Sequence, residues 1–317
     1  LFLLGAFNNY LVDTFKRKNV CTRSLLLLAL LGLLYPYAGE WGMIFLLRVL
    51  QGALFGVVLM AMGSTLVIDV TPSQYRNKAS VVFTWSGVLG MLCGILLGYN
   101  AGWYLSFQQQ IYLFVGLCAL PVVLVSMVEV CFRAPLLSFD RFLLFRTLIP
   151  GLNMMVVPFI LGVLFSSIFD TFFYICIIAG FIVFLLLDRV VRKQVNGRLL
   201  NGVGLVLMCV AVWLLGCSTE KGMLMGAGFL TGLGMGFSLL QFLRMMIRLP
   251  LHCERGTGYH TYQLLWESGV MLGVFFGKYT EDISGQQFRA ASLILLAGLL
   301  IYQAVVHGYF MKRMKNR

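Results

Sequence analysis

Long apolar stretches alternate with short polar connections along almost the whole chain. A membrane-spanning helix needs about 20 apolar residues to cross a hydrocarbon core of about 30 Å. An opening apolar run over residues 1–12 would form only about 18 Å of helix. Ten longer runs follow, approximately over residues 22–38, 42–69, 79–99, 109–131, 147–167, 170–188, 198–217, 221–247, 257–278 and 289–310. The pattern predicts an all-α, polytopic bundle of membrane helices with eleven visible segments, the first of them partial.

The composition indicates a membrane protein rather than a soluble one. Apolar residues make up 60% of the chain and charged residues 11%, whereas soluble domains contain about 45–50% and about 25%. The mean hydropathy is +0.90. The eight cysteines form no CxxC pair and lie mostly inside apolar runs. We therefore interpret them as small buried side chains rather than metal ligands or disulfide partners.

The net charge of +12 has the distribution of a membrane protein. Twenty of the 24 Lys and Arg residues lie in alternate connections and the C-terminal tail, three lie in the opposite connections, and Arg48 lies inside an apolar run. A nucleic-acid-binding protein would concentrate these residues on one solvated surface, so we expect no nucleic-acid partner. The positive-inside rule places the basic connections and the C-terminus in the cytoplasm. We expect a multi-pass protein of the bacterial inner membrane.

Two blocks of sequence recur at nearly the same spacing. A shift of 175 residues aligns Asp13 with Asp188. A shift of 179 aligns two triplets of glycines that are spaced by four residues, Gly90, Gly94 and Gly98 with Gly269, Gly273 and Gly277. Small residues at this spacing share a helix face and let helix backbones approach closely in lipid. We infer two similar helical halves, residues 1–132 and 147–317, joined by a cytoplasmic linker over 133–146; such repeats are typical of transporters.

Three short motifs resemble those of the major facilitator superfamily. The stretch NNYLVDTFKRK is similar to the family's signature between its second and third helices at Asp13, Arg17 and Lys18. RVLQG at 48–52 matches the fourth-helix R-x-x-Q-G signature, and TPSQYRNKA resembles the turn that leads into the fifth helix. The resemblance implies two six-helix halves that alternate access to the two sides of the membrane. It also makes the visible segments helices two to twelve, and we expect the first helix to be missing because the chain opens inside an apolar run.

The resemblance further implies that Asp13, Arg17 and Asp69 form a cytoplasmic latch that favours the outward-open state. These residues lie at the cytoplasmic ends of predicted helices. Such an ion pair biases two states only if it forms in one and breaks in the other. The alternative is that the charges only anchor the connections on the cytoplasmic side.

Glu267 and Arg48 are candidates for proton coupling, because charges at membrane depth are costly and usually functional. Glu267 lies near the middle of its apolar run, where burial disfavours the charged form of a carboxyl group. It could therefore exchange a proton near physiological pH. For Arg48, the R-x-x-Q-G resemblance implies a part in proton transfer. The alternatives are a permanently protonated Glu267 that bonds to a neighbouring helix, and an Arg48 whose guanidinium bonds to backbone carbonyls.

Further polar and aromatic side chains within the spans could contact a substrate. In the resembled family, the first, fourth, seventh and tenth helices line the substrate cavity. The candidates are Gln51, Asn153, Gln241, Gln263 and Trp266. The alternative for each polar residue is a hydrogen bond between helices, worth about 0.6 kcal/mol on average.

The sequence carries no motif of a common enzyme or cofactor class. GLGMG at 232–236 lies inside an apolar run and follows no predicted strand, so it does not indicate a dinucleotide-binding loop. His252, His260 and His307 lack the spacing of a zinc site, and no Walker sequence occurs. We expect no metal, no cofactor and no enzymatic activity.

These observations predict a secondary transporter that works by alternating access. The leading hypothesis is proton-coupled efflux of small hydrophobic or drug-like compounds by a monomer that contacts its substrate, protons and the lipid bilayer. The first alternative is a proton symporter for a sugar or another small nutrient. The second, from a different class, is a membrane sensor or scaffold with a transporter fold that moves nothing.

Overall fold

The chain folds into helices that follow one another with short connections. The computed structural model describes residues 17–72, 74–128, 143–194, 196–217, 220–251, 254–280 and 285–315. Within these ranges there is no strand, which confirms the predicted all-α fold class. The α-helices are α1 Arg17–Leu33, α2 Trp41–Ala61, α3 Val67–Val70, α4 Arg76–Tyr104, α5 Phe107–Met127, α6 Phe145–Met154, α7 Val156–Ser167, α8 Thr171–Gln194, α9 Gly197–Cys217, α10 Lys221–Arg248, α11 Arg255–Tyr279, α12 Gln286–Ile301 and α13 His307–Lys315.

Three short helical segments of other types, one 3-10 and two π-helical, lie between these α-helices. A 3-10 turn, Tyr35–Tyr37, follows α1, and π-helical turns over Met62–Leu66 and Tyr302–Val306 join α2 to α3 and α12 to α13. The apolar run at 22–38 corresponds to the membrane-capable stretch Lys18–Tyr37, which is α-helical up to Leu33 and ends as the 3-10 turn. The physical reason for the change of helix type is Pro36, which lacks a backbone N–H.

Nine helical stretches in the described part of the chain are long and apolar enough to cross a membrane. They confirm the predicted bundle of membrane helices. The helix α11 is not among the nine, although its 25 residues give a length of about 37 Å. It carries His260, Gln263 and Glu267, and it is the helix on which the site described below depends.

The helices group into two compact units, and the first comprises Leu1–Gly87, Asn100–Leu143 and His252–His260. Here α1 packs against α2 and α5. Gly32 makes this possible, because a Cβ at its position would lie 2.7 Å from the ring of Phe114 in α5. The buried core of this contact consists of Cys21, Leu25, Val58, Leu66 and Val125.

A second close approach in the first unit involves the π-helical turn after α2. Gly63 of this turn lies against the ring of Tyr259, and any side chain at Gly63 would overlap that ring. Tyr259 is buried, and its ring centroid lies 6.0 Å from that of Phe83 in α4. The absence of a side chain at Gly63 therefore leaves the space that the Tyr259 ring occupies.

The second unit comprises Val88–Tyr99, Leu144–Leu251 and Thr261–Arg317. In it α10 packs against both α8 and α9, and α9 also packs against α12. Gly232 of α10 lies against the carbonyl of Ile177 in α8. A Cβ atom added to Gly234 of α10 would lie only 2.6 Å from the carbonyl oxygen of Gly204 in α9. Small residues thus set the backbone distances here, as is usual in membrane bundles. The division into halves at 1–132 and 147–317 stays a prediction.

Candidate functional site

Arg48 and Gln51 of α2 meet at the ring of Tyr35, which precedes α2 in the 3-10 turn. The guanidinium carbon of Arg48 lies 5.0 Å from the centroid of the Tyr35 ring, within the range of a cation–π contact. The hydroxyl of Tyr35 donates a hydrogen bond of 2.8 Å to Oε1 of Gln51. Arg48 is exposed, Tyr35 is half-buried and Gln51 is buried. The two residues of the R-x-x-Q-G motif are therefore linked through one aromatic ring.

Tyr35 is the functional candidate that the sequence analysis missed. Its available signal is the stretch Tyr-Pro-Tyr at the end of an apolar run, which by itself is also typical of aromatic residues at a membrane interface. Residues 35 and 48 are distant in sequence, and only the turn between α1 and α2 brings them together. The contact therefore depends on tertiary structure that no local pattern specifies.

Glu267 occupies the centre of α11. It is the thirteenth of 25 residues from Arg255 to Tyr279, and its side chain is half-buried. Gln263 lies four residues earlier and therefore on the same side of the helix, and it is buried. The helix thus carries an amide and a carboxyl one turn apart near its centre.

A different face of α11 holds the helix in the second unit. Gly269, Gly273 and Gly277 are all buried, and they lie against Pro158, the carbonyl of Phe159 and the hydroxyl of Ser166. At 100° per residue, Glu267 points about 120° away from Gly273. The face of α11 that packs on α6 and α7 is therefore a different face from the one that carries the carboxyl group.

Two of the candidate substrate contacts bond or pack within the second unit. The amide of Asn153 in α6 donates a hydrogen bond of 3.0 Å to the carbonyl of Gly298 in α12. The amide of Gln241 in α10 lies where a side chain at Gly197 of α9 would be. Both side chains are buried. Asn153 thus makes the interhelical hydrogen bond that was the alternative for it, Gln241 packs against a neighbouring helix, and the part of both in binding a substrate stays a prediction.

The remaining predicted residues differ in how far the structure describes them. Trp266 of α11 is buried, and its ring stacks on Tyr262 with centroids 6.1 Å apart. Asp13 of the predicted latch lies outside the described residues, as do the side chains of Arg17 and Asp69. The latch therefore stays a prediction. In the described part of the chain, no group of three His, Cys, Asp or Glu side chains could hold a metal ion.

The sequence matches the family model described as Major Facilitator Superfamily over residues 1–274. A comparison with curated proteins finds no match. The family match extends from the first residue into α11 and includes Arg48, Gln51 and Glu267. It agrees with the nine membrane-capable helices and confirms the predicted family. The chain therefore belongs to the Major Facilitator Superfamily and is a multi-pass membrane protein of the secondary-transporter type, which moves small molecules and is not an enzyme.

Proposed function

We propose that the chain is a proton-coupled exporter of small hydrophobic or drug-like molecules. The observation that carries the proposal is the position of Glu267, half-buried at the centre of α11. A carboxylate near the membrane centre is costly, and residues of this kind usually serve ion or proton pathways. Partial exposure allows Glu267 to take up a proton in one state of an alternating transporter and to release it in the other.

Arg48 supplies a fixed positive charge in this proposal. It lies seven residues after Trp41, the first residue of α2, which corresponds to about 10 Å along the helix. A guanidinium group stays protonated in proteins, so Arg48 is not the group that releases the proton. Its charge favours the ionised form of an acidic group that approaches it, and it can promote proton release without changing its own protonation.

The surroundings of the polar candidates favour a hydrophobic substrate. Asn153 is hydrogen-bonded to Gly298, and Gln241 is packed against Gly197. A site that selects a sugar needs several polar groups that face the substrate and bond to it. Gln51 accepts a hydrogen bond from Tyr35, so three of the five candidates are engaged inside their own units and fewer groups remain for such a role. Proton symport of a sugar or another small nutrient is the alternative.

The proposal is tested by resistance in bacteria that lack their own exporters. The cells produce the full chain and are challenged with a panel of dyes and antibacterials, and Glu267→Gln is compared with Glu220→Gln, a change at an exposed carboxyl just before α10. We expect the wild type and Glu220→Gln to raise the tolerated concentration of several compounds, and Glu267→Gln to lose this effect.

Two other outcomes would contradict the proposal in different ways. Full resistance in Glu267→Gln would remove the assignment of Glu267 to proton coupling. No resistance to any compound, with the wild-type chain confirmed in the inner membrane, would contradict export and favour nutrient uptake. Uptake is then measured directly with labelled sugars under an imposed proton gradient, and no uptake would favour a sensor or scaffold.

A further inference from the structure

Tyr35 lies outside the R-x-x-Q-G motif but contacts both of its long polar side chains. It stands in a 3-10 turn that is fixed by Pro36 and by backbone hydrogen bonds, including those from Tyr37 N–H to the Leu34 carbonyl at 3.1 Å and from Ala38 N–H to the Tyr35 carbonyl at 3.1 Å. The backbone that carries the ring is therefore held by local bonds. The ring itself is held by its contacts with Arg48 and Gln51 of α2.

The spacing of Arg48 and Gln51 allows one ring to meet both. Residues three apart lie next to each other on a helix surface, so both side chains reach the same place beside α2. The ring presents its face to the Arg48 guanidinium at 5.0 Å and its hydroxyl to the Gln51 amide oxygen at 2.8 Å. The two contacts use different parts of the tyrosine and do not compete.

We propose that Tyr35 is the positioning residue of Arg48, and that Gln51 serves to hold Tyr35. The hydrogen bond from the Tyr35 hydroxyl fixes the rotation of the ring, and the fixed ring face restrains a guanidinium group that would otherwise sample many rotamers. The arrangement gives an arginine and a glutamine at this spacing one shared partner. The effect of this positioning on transport rests on the proposed function, in which a restrained Arg48 holds its charge at one defined depth in the membrane.

The chain provides a matched control two residues away. Tyr37 belongs to the same turn and lies on the other side of Pro36, but its side chain is 82% exposed. Substitutions at Tyr37 therefore test the effect of changing an aromatic residue in this turn without the contacts to α2. Tyr35→Phe keeps the ring and removes the hydroxyl, whereas Tyr35→Leu removes both contacts.

The first test concerns the contacts alone and needs no transport substrate. Melting temperatures of the purified full chain in detergent are measured for Tyr35→Phe, alone and combined with Gln51→Leu. We expect Tyr35→Phe to lower the melting temperature by about 2 °C in the wild-type background, since one hydrogen bond is lost. In the Gln51→Leu background it should change nothing. Equal effects in both backgrounds would overturn the role of Gln51.

A second test of the contacts follows the chemical reactivity of Arg48. The arginine reagent phenylglyoxal is applied to the purified chain, and modification of Arg48 is followed by mass spectrometry. We expect Tyr35→Leu to increase the rate of modification about fivefold, because the loss of a contact worth about 1 kcal/mol frees the guanidinium group. Tyr37→Leu should leave the rate unchanged. An unchanged rate in Tyr35→Leu would overturn the proposal.

The third test measures the consequence for transport with ethidium as the probe. We expect Tyr35→Leu to reduce proton-driven ethidium efflux from cells about tenfold and Tyr35→Phe to reduce it less, with a shifted dependence on external pH. Ethidium exchange without a proton gradient should persist in both variants. Equal loss of driven efflux and exchange would show a merely structural role and overturn the positioning role. If the wild type moves no ethidium and none of the other panel compounds, the proposed function fails, while the first two tests still decide the positioning of Arg48.

Discussion

The two glycine triplets of this chain have the same spacing but opposite surroundings. Gly269, Gly273 and Gly277 of α11 are buried against α7 and the preceding Met155, whereas Gly90, Gly94 and Gly98 of α4 are exposed. Among the described residues, and apart from the neighbouring residues and backbone of α4 itself, no atom lies within 4 Å of the place where a Cβ would stand on these glycines. Glycine spacing therefore makes a helix face suitable for close packing, but whether another helix packs on that face depends on the tertiary structure.

The contacts of the α11 triplet also differ from one glycine to the next. A Cβ at Gly273 would meet the backbone carbonyl of Phe159, with Cα of Gly162 at 3.0 Å. A Cβ at Gly277 would meet the side-chain hydroxyl of Ser166. Backbone atoms move only if two helices separate, whereas a hydroxyl can rotate. The same substitution should therefore cost different amounts along one face.

The largest effect is expected for Gly273→Ala. The added methyl group overlaps the backbone of α7, and overpacking of this kind costs about 1–3 kcal/mol. We expect a clearly lower melting temperature of the purified chain than for the wild type. The matched variant is Gly94→Ala in α4, which should not be destabilised. Equal destabilisation by the two substitutions would mean that the α4 triplet is packed in the membrane as tightly as the α11 triplet.

An intermediate effect is expected for Gly63→Ala in the first unit. The alanine overlaps the ring of Tyr259, which is buried near Phe83 and has little room to turn. We expect a loss of about 1 kcal/mol of stability, and no further loss when Gly63→Ala is added to Tyr259→Leu. This non-additivity is the sign of a direct contact. Additive losses in the double variant would show that Gly63 matters for another reason, such as the π-helical turn itself.

The smallest loss within these contacts is expected for Gly277→Ala. Ser166 can turn its hydroxyl away from the new methyl group at the expense of its 3.0 Å hydrogen bond to the Val163 carbonyl, and alanine favours a helix over glycine by about 1 kcal/mol. The two effects nearly cancel, so the melting temperature should stay within about 2 °C of the wild type. Combining Gly277→Ala with Ser166→Ala should then remove the remaining strain. A loss as large as that of Gly273→Ala would contradict the distinction between backbone and side-chain contacts.

Much of the fold follows from the sequence because hydropathy acts locally. The apolar run at 257–278 corresponds to α11, Arg255–Tyr279, and the run at 79–99 corresponds to the longer α4, Arg76–Tyr104. The helix ends extend past the runs, since backbone hydrogen bonding continues where the side chains become polar. The run at 22–38 corresponds to the stretch Lys18–Tyr37, and only its change from α-helix to 3-10 turn near Pro36 was not predicted.

The site was predictable only in part. The central position of Glu267 follows from the length of its apolar run, and Arg48 with Gln51 follows from a motif. The ring of Tyr35 between them does not, because it depends on how the turn after α1 returns to α2. The bond from Asn153 to Gly298 joins residues 145 apart in sequence, and no local pattern contains it. Sequence thus identifies which residues are costly in a membrane, and the tertiary structure determines their partners.

Coupling of transport to protons through Glu267 can be tested in proteoliposomes. The full chain and Glu267→Gln are reconstituted, and movement of a dye from the resistance panel is followed under an imposed proton gradient and in counterflow without one. We predict that Glu267→Gln lowers gradient-driven movement by about a hundredfold, the lower range for losing a proton-transfer group, while counterflow persists. Gradient-driven movement at the wild-type rate in Glu267→Gln would contradict the account.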